Sequence, residues 1–137
     1  MAVWQFDLLL IPRDMAVPYT GKPNWEPFLP QRVAYAVQED LCHYFGPPWF
    51  MLKNWLVFGP ENGSRIDVLF EADGSANFSA RVDMRNESPQ FLVLLTDLAR
   101  LHGCVFFSPD TAELVKPEVH QIVAAITRYD SRNLDLL

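Results

Sequence analysis

Hydrophobic and polar residues alternate along several stretches of the chain, and this period of two predicts β-strands. The first predicted strand runs from Val3 to Ile11, with Pro12 ending it. An apolar run predicts a second strand over residues 51–58, closed by a Gly- and Pro-rich turn. Three further predicted strands cover Arg65–Glu71, Ala76–Met84 and the short apolar run Cys104–Phe107.

Apolar residues at helical spacing predict three helices. The first begins at Pro30, a residue that suits a first helical turn, and ends at Gly46. The second is introduced by Ser88-Pro89 and ends at Gly103, and the third runs from Pro117. The buried stripe of the first helix would be formed by Val33, Val37, Leu41 and Phe45.

The resulting order, β-α-β-β-β-α-β-α, predicts an α+β fold: a two-layer sandwich with a mixed or antiparallel sheet and helices mainly on one face. Its core is similar in layout to the ferredoxin-like βαββαβ plan, with an added strand and a terminal helix. We expect residues 1–137 to form a single domain, with a Pro- and aromatic-rich loop at 13–29 and a loosely held tail at 131–137.

The turn between the strands at 65–71 and 76–84 decides which side chains share a face of the sheet. A two-residue loop at Asp73-Gly74 would place every apolar residue opposite a polar one. A three-residue loop of Ala72-Asp73-Gly74 instead pairs Val68 with Phe78 and Ile66 with Ala80. Glycine suits the third loop position, where the backbone needs a positive φ. We therefore predict the three-residue loop.

The same register places a charged row on the opposite face of the sheet. Arg65 would lie opposite Arg81, with Asp67 and Asp83 at diagonal positions and Asp7 close by. Arginine forks and carboxylates can select a protein partner by charge pattern, so these four residues of the hairpin are candidate partner-binding residues. The alternatives are a merely solvated face and a cation site built from the aspartates, which the arginines would repel.

The loop at residues 13–29 is the second informative feature, because so long a connection in a compact domain commonly binds something or is packed by its own side chains. Trp25 in this loop and Trp49 after the first helix are the aromatic candidates for partner contact, since Trp is enriched at binding hot spots. The alternative is that these aromatic residues cover a helix end.

The composition of the chain restricts the class of molecule that the protein could bind. The net charge is -6, and residues 61–137 carry twelve acidic residues against seven Lys and Arg. Such a balance argues against nucleic acid, whose binding depends on basic residues, and favours a basic protein partner. Cys42 and Cys104 lie in apolar runs and suggest free thiols in a reducing compartment. No stretch is apolar enough to span a bilayer, so we expect a cytoplasmic protein that binds no membrane.

No common catalytic or nucleotide-binding motif occurs, and neither Cys42-His43 nor His102-Gly103-Cys104 makes a convincing dyad. We expect no cofactor and no metal, and the pattern favours a non-enzymatic protein-binding module. Its most specific version is a small acidic inhibitor, similar in general character to bacterial immunity proteins, that neutralises a partner protein. The alternatives are a ligand-binding or enzymatic domain using the cleft between the Pro-rich loop and the sheet, and a subunit that forms a homodimer or larger homo-oligomer.

Overall fold

The computed structural model describes residues 4–15, 27–86 and 88–135. The described strands are β1 (Gln5–Pro12), β2 (Trp49–Leu52), β3 (Trp55–Phe58), β4 (Arg65–Phe70), β5 (Ala76–Asp83), β6 (Cys104–Ser108) and β7 (Glu113–Val115). The helices are α1 (Gln31–Phe45), α2 (Pro89–Leu101) and α3 (Val119–Asp135).

All seven strands form one open sheet in the order β2-β3-β4-β5-β1-β6-β7, and every neighbouring pair is antiparallel. The α+β class and an antiparallel sheet are therefore confirmed. β1 lies near the centre, between β5 and β6, although it comes first in the chain.

The core lies between one face of the sheet and the three helices. Alternate residues of β1, such as Phe6 and Leu8, are fully buried there together with Leu41 of α1, Leu95 of α2 and Ile122 of α3. The ring of Tyr129 lies 5.4 Å from that of Phe6 and fixes α3 over β1. We call the other side of the sheet the open face, because none of the described helices packs on it.

The predicted hairpin register is confirmed. Ile66 pairs with Ala80 and Val68 with Phe78. At the turn, the N–H of Gly74 donates to the carbonyl of Glu71 and the N–H of Glu71 donates to the carbonyl of Ser75, and Gly74 has a φ of +87°. This is the geometry expected of a three-residue loop that ends in a glycine bulge.

Helix ends follow their predicted signals. The Ser88 hydroxyl accepts a hydrogen bond from the N–H of Phe91 at 3.3 Å, which caps α2. After α1, Gly46 adopts a φ of +83° and its N–H donates to the carbonyl of Cys42. Glycine adopts this positive φ without the steric cost of a Cβ.

Three boundary predictions were wrong. Residues 51–58 form no single strand, because the polar pair Lys53-Asn54 turns the chain between β2 and β3. The short strand β7 was not predicted, so the observed order is β-α-β-β-β-β-α-β-β-α. Helix α3 begins at Val119, two residues after Pro117, and continues to Asp135 through most of the expected tail.

The Pro- and aromatic-rich loop is described at its two ends only. Near its start, the N–H of Met15 donates to the carbonyl of Pro12. At its end, Leu29 and Ala76 exchange backbone hydrogen bonds, and the Asn77 side chain donates to the carbonyl of Pro27. Trp25 lies outside the described residues. The loop therefore returns to the sheet beside β5.

Candidate protein-binding face

The charged row predicted for the hairpin lies on the open face. Arg65 and Arg81 occupy directly opposed positions on β4 and β5, and Asp7 of β1 is the next residue in the same row, opposite Arg81. Asp67 lies one position along the face, opposite Ser79. Alternation along the strands thus brings these side chains together as the sequence predicts.

Arg65 is committed to contacts within the protein, because its side chain is only 4% exposed and is surrounded by fixed partners. Its Nε lies 2.9 Å from Oδ1 of Asp67, its Nη2 donates to Oδ2 of Asp67 at 3.2 Å, and its Nη1 donates to the carbonyl of Glu61. The ring of Trp49 lies over the guanidinium at 5.8 Å. Arg65 therefore has a structural role in this face, and its buried side chain is not accessible to a partner.

Trp49 and Trp55 hold this ion pair in place. The Trp49 indole N–H donates to the carbonyl of Gly59 at 2.8 Å, and the Trp55 indole N–H donates to Oδ2 of Asp67 at 3.0 Å. Both rings are half-buried. Trp49, a candidate for partner contact, thus has its polar atom satisfied within the chain and can offer a partner only the remaining exposed surface of its ring.

Asp83 is also buried and has partners within the chain. Its carboxylate accepts two hydrogen bonds from the Arg85 guanidinium and one from the Arg85 backbone N–H. The guanidinium in turn stacks on Trp4, with its carbon 3.8 Å from the ring centroid. Hydrogen bonds from Arg85 lower the pKa of Asp83 below its usual value. No pattern in the sequence indicates this role for Arg85 or Trp4.

Arg81 differs from its neighbours. It is half-buried and forms no hydrogen bond or ion pair with any residue in the described parts of the chain. Its guanidinium has five N–H donors in a planar fork that matches carboxylates and other planar acceptors. Among the described residues of the predicted row, Arg81 is therefore the one whose guanidinium donors have no acceptor.

Asp7, which lies opposite Arg81, has a second carboxylate beside it. The backbone N–H of Asp7 donates to Oδ2 of Asp110 at 3.2 Å. Burial raises the pKa of Asp7, while a hydrogen bond from Gln5 and the charge of Arg81 oppose this effect. Burial also raises the pKa of Asp110, and the charge of Asp7 adds to the rise. We refer to Asp7, Asp67, Arg81 and Asp110 as the acidic patch.

The other groups that could bind a metal or act as a nucleophile have ordinary surroundings. No cluster of three or more His, Cys, Asp or Glu residues that could hold a metal occurs in the parts of the chain that the structure describes. Burial raises the pKa of the Cys104 thiol to about 11, so this sulfur is protonated at neutral pH and weakly nucleophilic. Nε2 of His102 lies 2.7 Å from Oδ2 of Asp40 on α1.

An apolar groove lies beyond the end of β5, between residues of α2 and α3. This groove has a volume of about 480 Å³ and is lined mainly by apolar residues, including Val82, Leu92 and Ile126, together with polar residues such as Asp83 and Asp130. A second depression of about 350 Å³ adjoins it and shares Ser64, Asp83 and Ser88. Neither depression is lined by a residue of the acidic patch.

No protein-family model, curated protein or solved structure matches the chain. Among the described residues, none of the helices is both long and apolar enough to cross a membrane.

Proposed function

We propose that the protein is a non-enzymatic binding module that recognises another protein through the acidic patch, in the manner of a small inhibitor or immunity-type protein that neutralises its partner. The observation that carries the proposal is Arg81, which has no hydrogen-bonding partner among the described residues although it lies beside Asp7 on the open face. A carboxylate or backbone carbonyl of a partner would supply the missing acceptors.

The charges around Arg81 favour a basic partner. The acidic patch contains three carboxylates and one guanidinium, and the whole chain carries a net charge of -6. A basic surface would be attracted over a distance comparable to the Debye length, and lysine or arginine side chains would pair with Asp7 and Asp110 at contact. Arg81 would then set the orientation of the partner.

Affinity capture from the native cell tests the proposal. Wild type and Arg32→Met, which removes a guanidinium at an exposed position of α1, are expected to retain the same partner. Arg81→Met, which removes the donors that the partner's acceptors would need, is expected to lose it. Asp83 is unsuitable for this test because it is buried and paired with Arg85. A partner retained equally by all three proteins would show that the acidic patch is not the binding site.

A second candidate function is binding of a small molecule, and the groove between α2 and α3 favours it. Its volume and mostly apolar lining are those of ligand sites, and Asp83 lies at its side. Exposed Val123 lines the groove, so Val123→Trp would fill it. A small molecule that raises the melting temperature of wild type but not of Val123→Trp would support this function over protein binding.

We also propose a ferredoxin-like plan for the fold and a cytoplasmic location for the protein. The order β4-β5-β1-β6, with α1 and α2 as the crossover helices, supports a ferredoxin-like plan extended by β2, β3 and β7 at the two edges. The free Cys42 and Cys104 support a cytoplasmic location, where thiols stay reduced.

A further inference from the structure

The apolar groove between α2 and α3 is lined by residues of several elements. Leu92 belongs to α2 and Val82 to β5, while α3 contributes one helical face, formed by Val119, Val123, Ile126, Thr127 and Asp130. These α3 residues share a face because they recur at intervals of three or four residues. The face is apolar from Val119 to Ile126 and ends near a carboxylate, that of Asp130.

The two carboxylates of the groove have different surroundings. Asp83 is buried, and its charge is compensated by the Arg85 guanidinium. Asp130 is exposed, and its carboxylate forms no hydrogen bond or ion pair with any residue in the described parts of the chain. None of the described residues that line the groove is Lys, Arg or His. The uncompensated charge of the groove is therefore the negative charge of Asp130.

The start of α2, which also lines the groove, offers little to an anionic ligand. Helix N-termini commonly bind anions through their free backbone N–H groups. The first residue of α2 is Pro89, which has no N–H, and the N–H of Phe91 already donates to Ser88. With two carboxylates in the lining as well, the charge of the groove complements a cation.

We propose that the groove binds a small molecule that has an apolar chain and a terminal ammonium group. The chain lies against Leu92, Val123 and Ile126, and the ammonium group pairs with Asp130. Val123 and Asp130 are two helical turns apart, or about 10 Å along α3, a length that an eight-carbon chain spans.

The volume of the groove, about 480 Å³, suits a small molecule. The inference rests on the second candidate function, ligand binding in this groove, and names the class of ligand. It does not depend on the acidic patch, which contributes no residue to the groove.

Three probes with the same apolar chain and different end groups test the proposal: octylammonium, 1-octanol and octanoate. NMR of the Val, Leu and Ile methyl groups during titration gives both the affinity and the place of binding. We expect octylammonium to bind about fivefold more tightly than octanol, because an exposed ion pair adds a modest attraction, and octanoate to bind most weakly. The methyl groups of Leu92, Val123 and Ile126 should shift.

Two variants with matched controls separate the end group from the chain. Asp130→Asn is expected to lower the affinity for octylammonium to that for octanol, whereas Asp97→Asn, at an exposed position of α2 outside the groove, should keep the wild-type preference. Val123→Trp fills the groove and should abolish binding of every probe. Its control is Val93→Trp, because Val93 is 47% exposed and does not line the groove.

The outcomes distinguish the class of ligand from the site itself. Equal affinity of the wild type for octylammonium and octanol, with both lost in Val123→Trp, would overturn the ammonium assignment and leave ligand binding in the groove intact. A preference for octylammonium that persists in Asp130→Asn would also overturn the assignment. The absence of methyl shifts in the groove with every probe at about 1 mM would overturn both the assignment and the second candidate function.

Discussion

Arg65 and Arg81 oppose each other across β4 and β5, yet their surroundings give them different roles. Arg65 is enclosed by Asp67, by the carbonyl of Glu61 and by the ring of Trp49, whereas Arg81 is half-buried and has no hydrogen bond to any described residue. We therefore expect substitution of Arg65 to affect stability and substitution of Arg81 to affect binding.

Arg65→Met is expected to lower the free energy of unfolding by about 3 kcal/mol, because it leaves the largely buried Asp67 carboxylate without its counter-charge. Urea denaturation monitored by tryptophan fluorescence measures this change. Arg32→Met, at an exposed position, is the control and should differ little from wild type. A loss for Arg65→Met no larger than that of the control would contradict the structural role of Arg65.

Asp7→Asn is expected to stabilise the protein at neutral pH. Burial raises the pKa of Asp7 in the folded state above its usual 3.8, so the contribution of Asp7 to stability is full below pH 3.8 and is lost as the pH rises through the raised pKa. Asparagine avoids this loss and can still accept a hydrogen bond from Gln5. The stability difference from wild type should therefore grow as the pH rises above 3.8.

Denaturation at several pH values measures this difference. The exposed Asp97 on α2 offers the control Asp97→Asn. An Asp7→Asn variant less stable than wild type at pH 7 would mean that the fold favours the ionised carboxylate of Asp7. Burial would then not be the dominant influence on the pKa of Asp7.

Sequence reasoning placed Asp7 and Arg81 correctly because both follow from alternation along adjacent strands. It could not find Asp110, which contacts the backbone of Asp7 across 103 positions of the chain. Nor could it predict that Arg65 is buried, because this depends on Trp49, which reaches the arginine only through the β2–β3 hairpin. Local pattern thus predicts the face of a side chain but not its burial.

The register of the β4–β5 hairpin was predictable because two signals indicate the same register: the position of Gly74 in the turn and the alternation of apolar residues along both strands. The β2–β3 hairpin was missed because its strands are apolar on both faces and show no alternation. Lys53-Asn54, the polar pair in the middle of that run, was the available signal for a turn. β7 has only three residues, too few for a periodic pattern.

Gly74→Ala is expected to destabilise the β4–β5 hairpin for two reasons. The positive φ of Gly74 costs about 1–2 kcal/mol for a residue with a Cβ. In addition, the new Cβ would lie 2.7 Å from Cγ of Gln31 at the start of α1. The loss of unfolding free energy, measured by urea denaturation, should therefore exceed the backbone cost alone.

Two variants separate these causes. Gly103 also has a positive φ, but a Cβ there would meet no atom within 4 Å, so Gly103→Ala should show the backbone cost only. The double variant Gly74→Ala/Gln31→Ala should recover part of the loss, because it removes the atoms that clash. Equal losses in the single and double variants would mean that contact with α1 does not restrict this turn.

At the scale of the whole molecule, the sheet has a protected centre and two different edges. β1 is hydrogen-bonded on both sides by β5 and β6, and its residues Phe6 and Leu8 are fully buried beneath the helices. β2 and β7 each have one strand neighbour among the described residues. Amide exchange should therefore be slowest in β1 and β5, whose hydrogen bonds break only in large-scale opening.

Hydrogen–deuterium exchange with mass spectrometry measures this order of protection. The edge strands β2 and β7, each hydrogen-bonded on one side among the described strands, are the internal comparison and should exchange faster than β1. Exchange of β1 as fast as that of β2 or β7 would contradict the view that the centre of the sheet opens last.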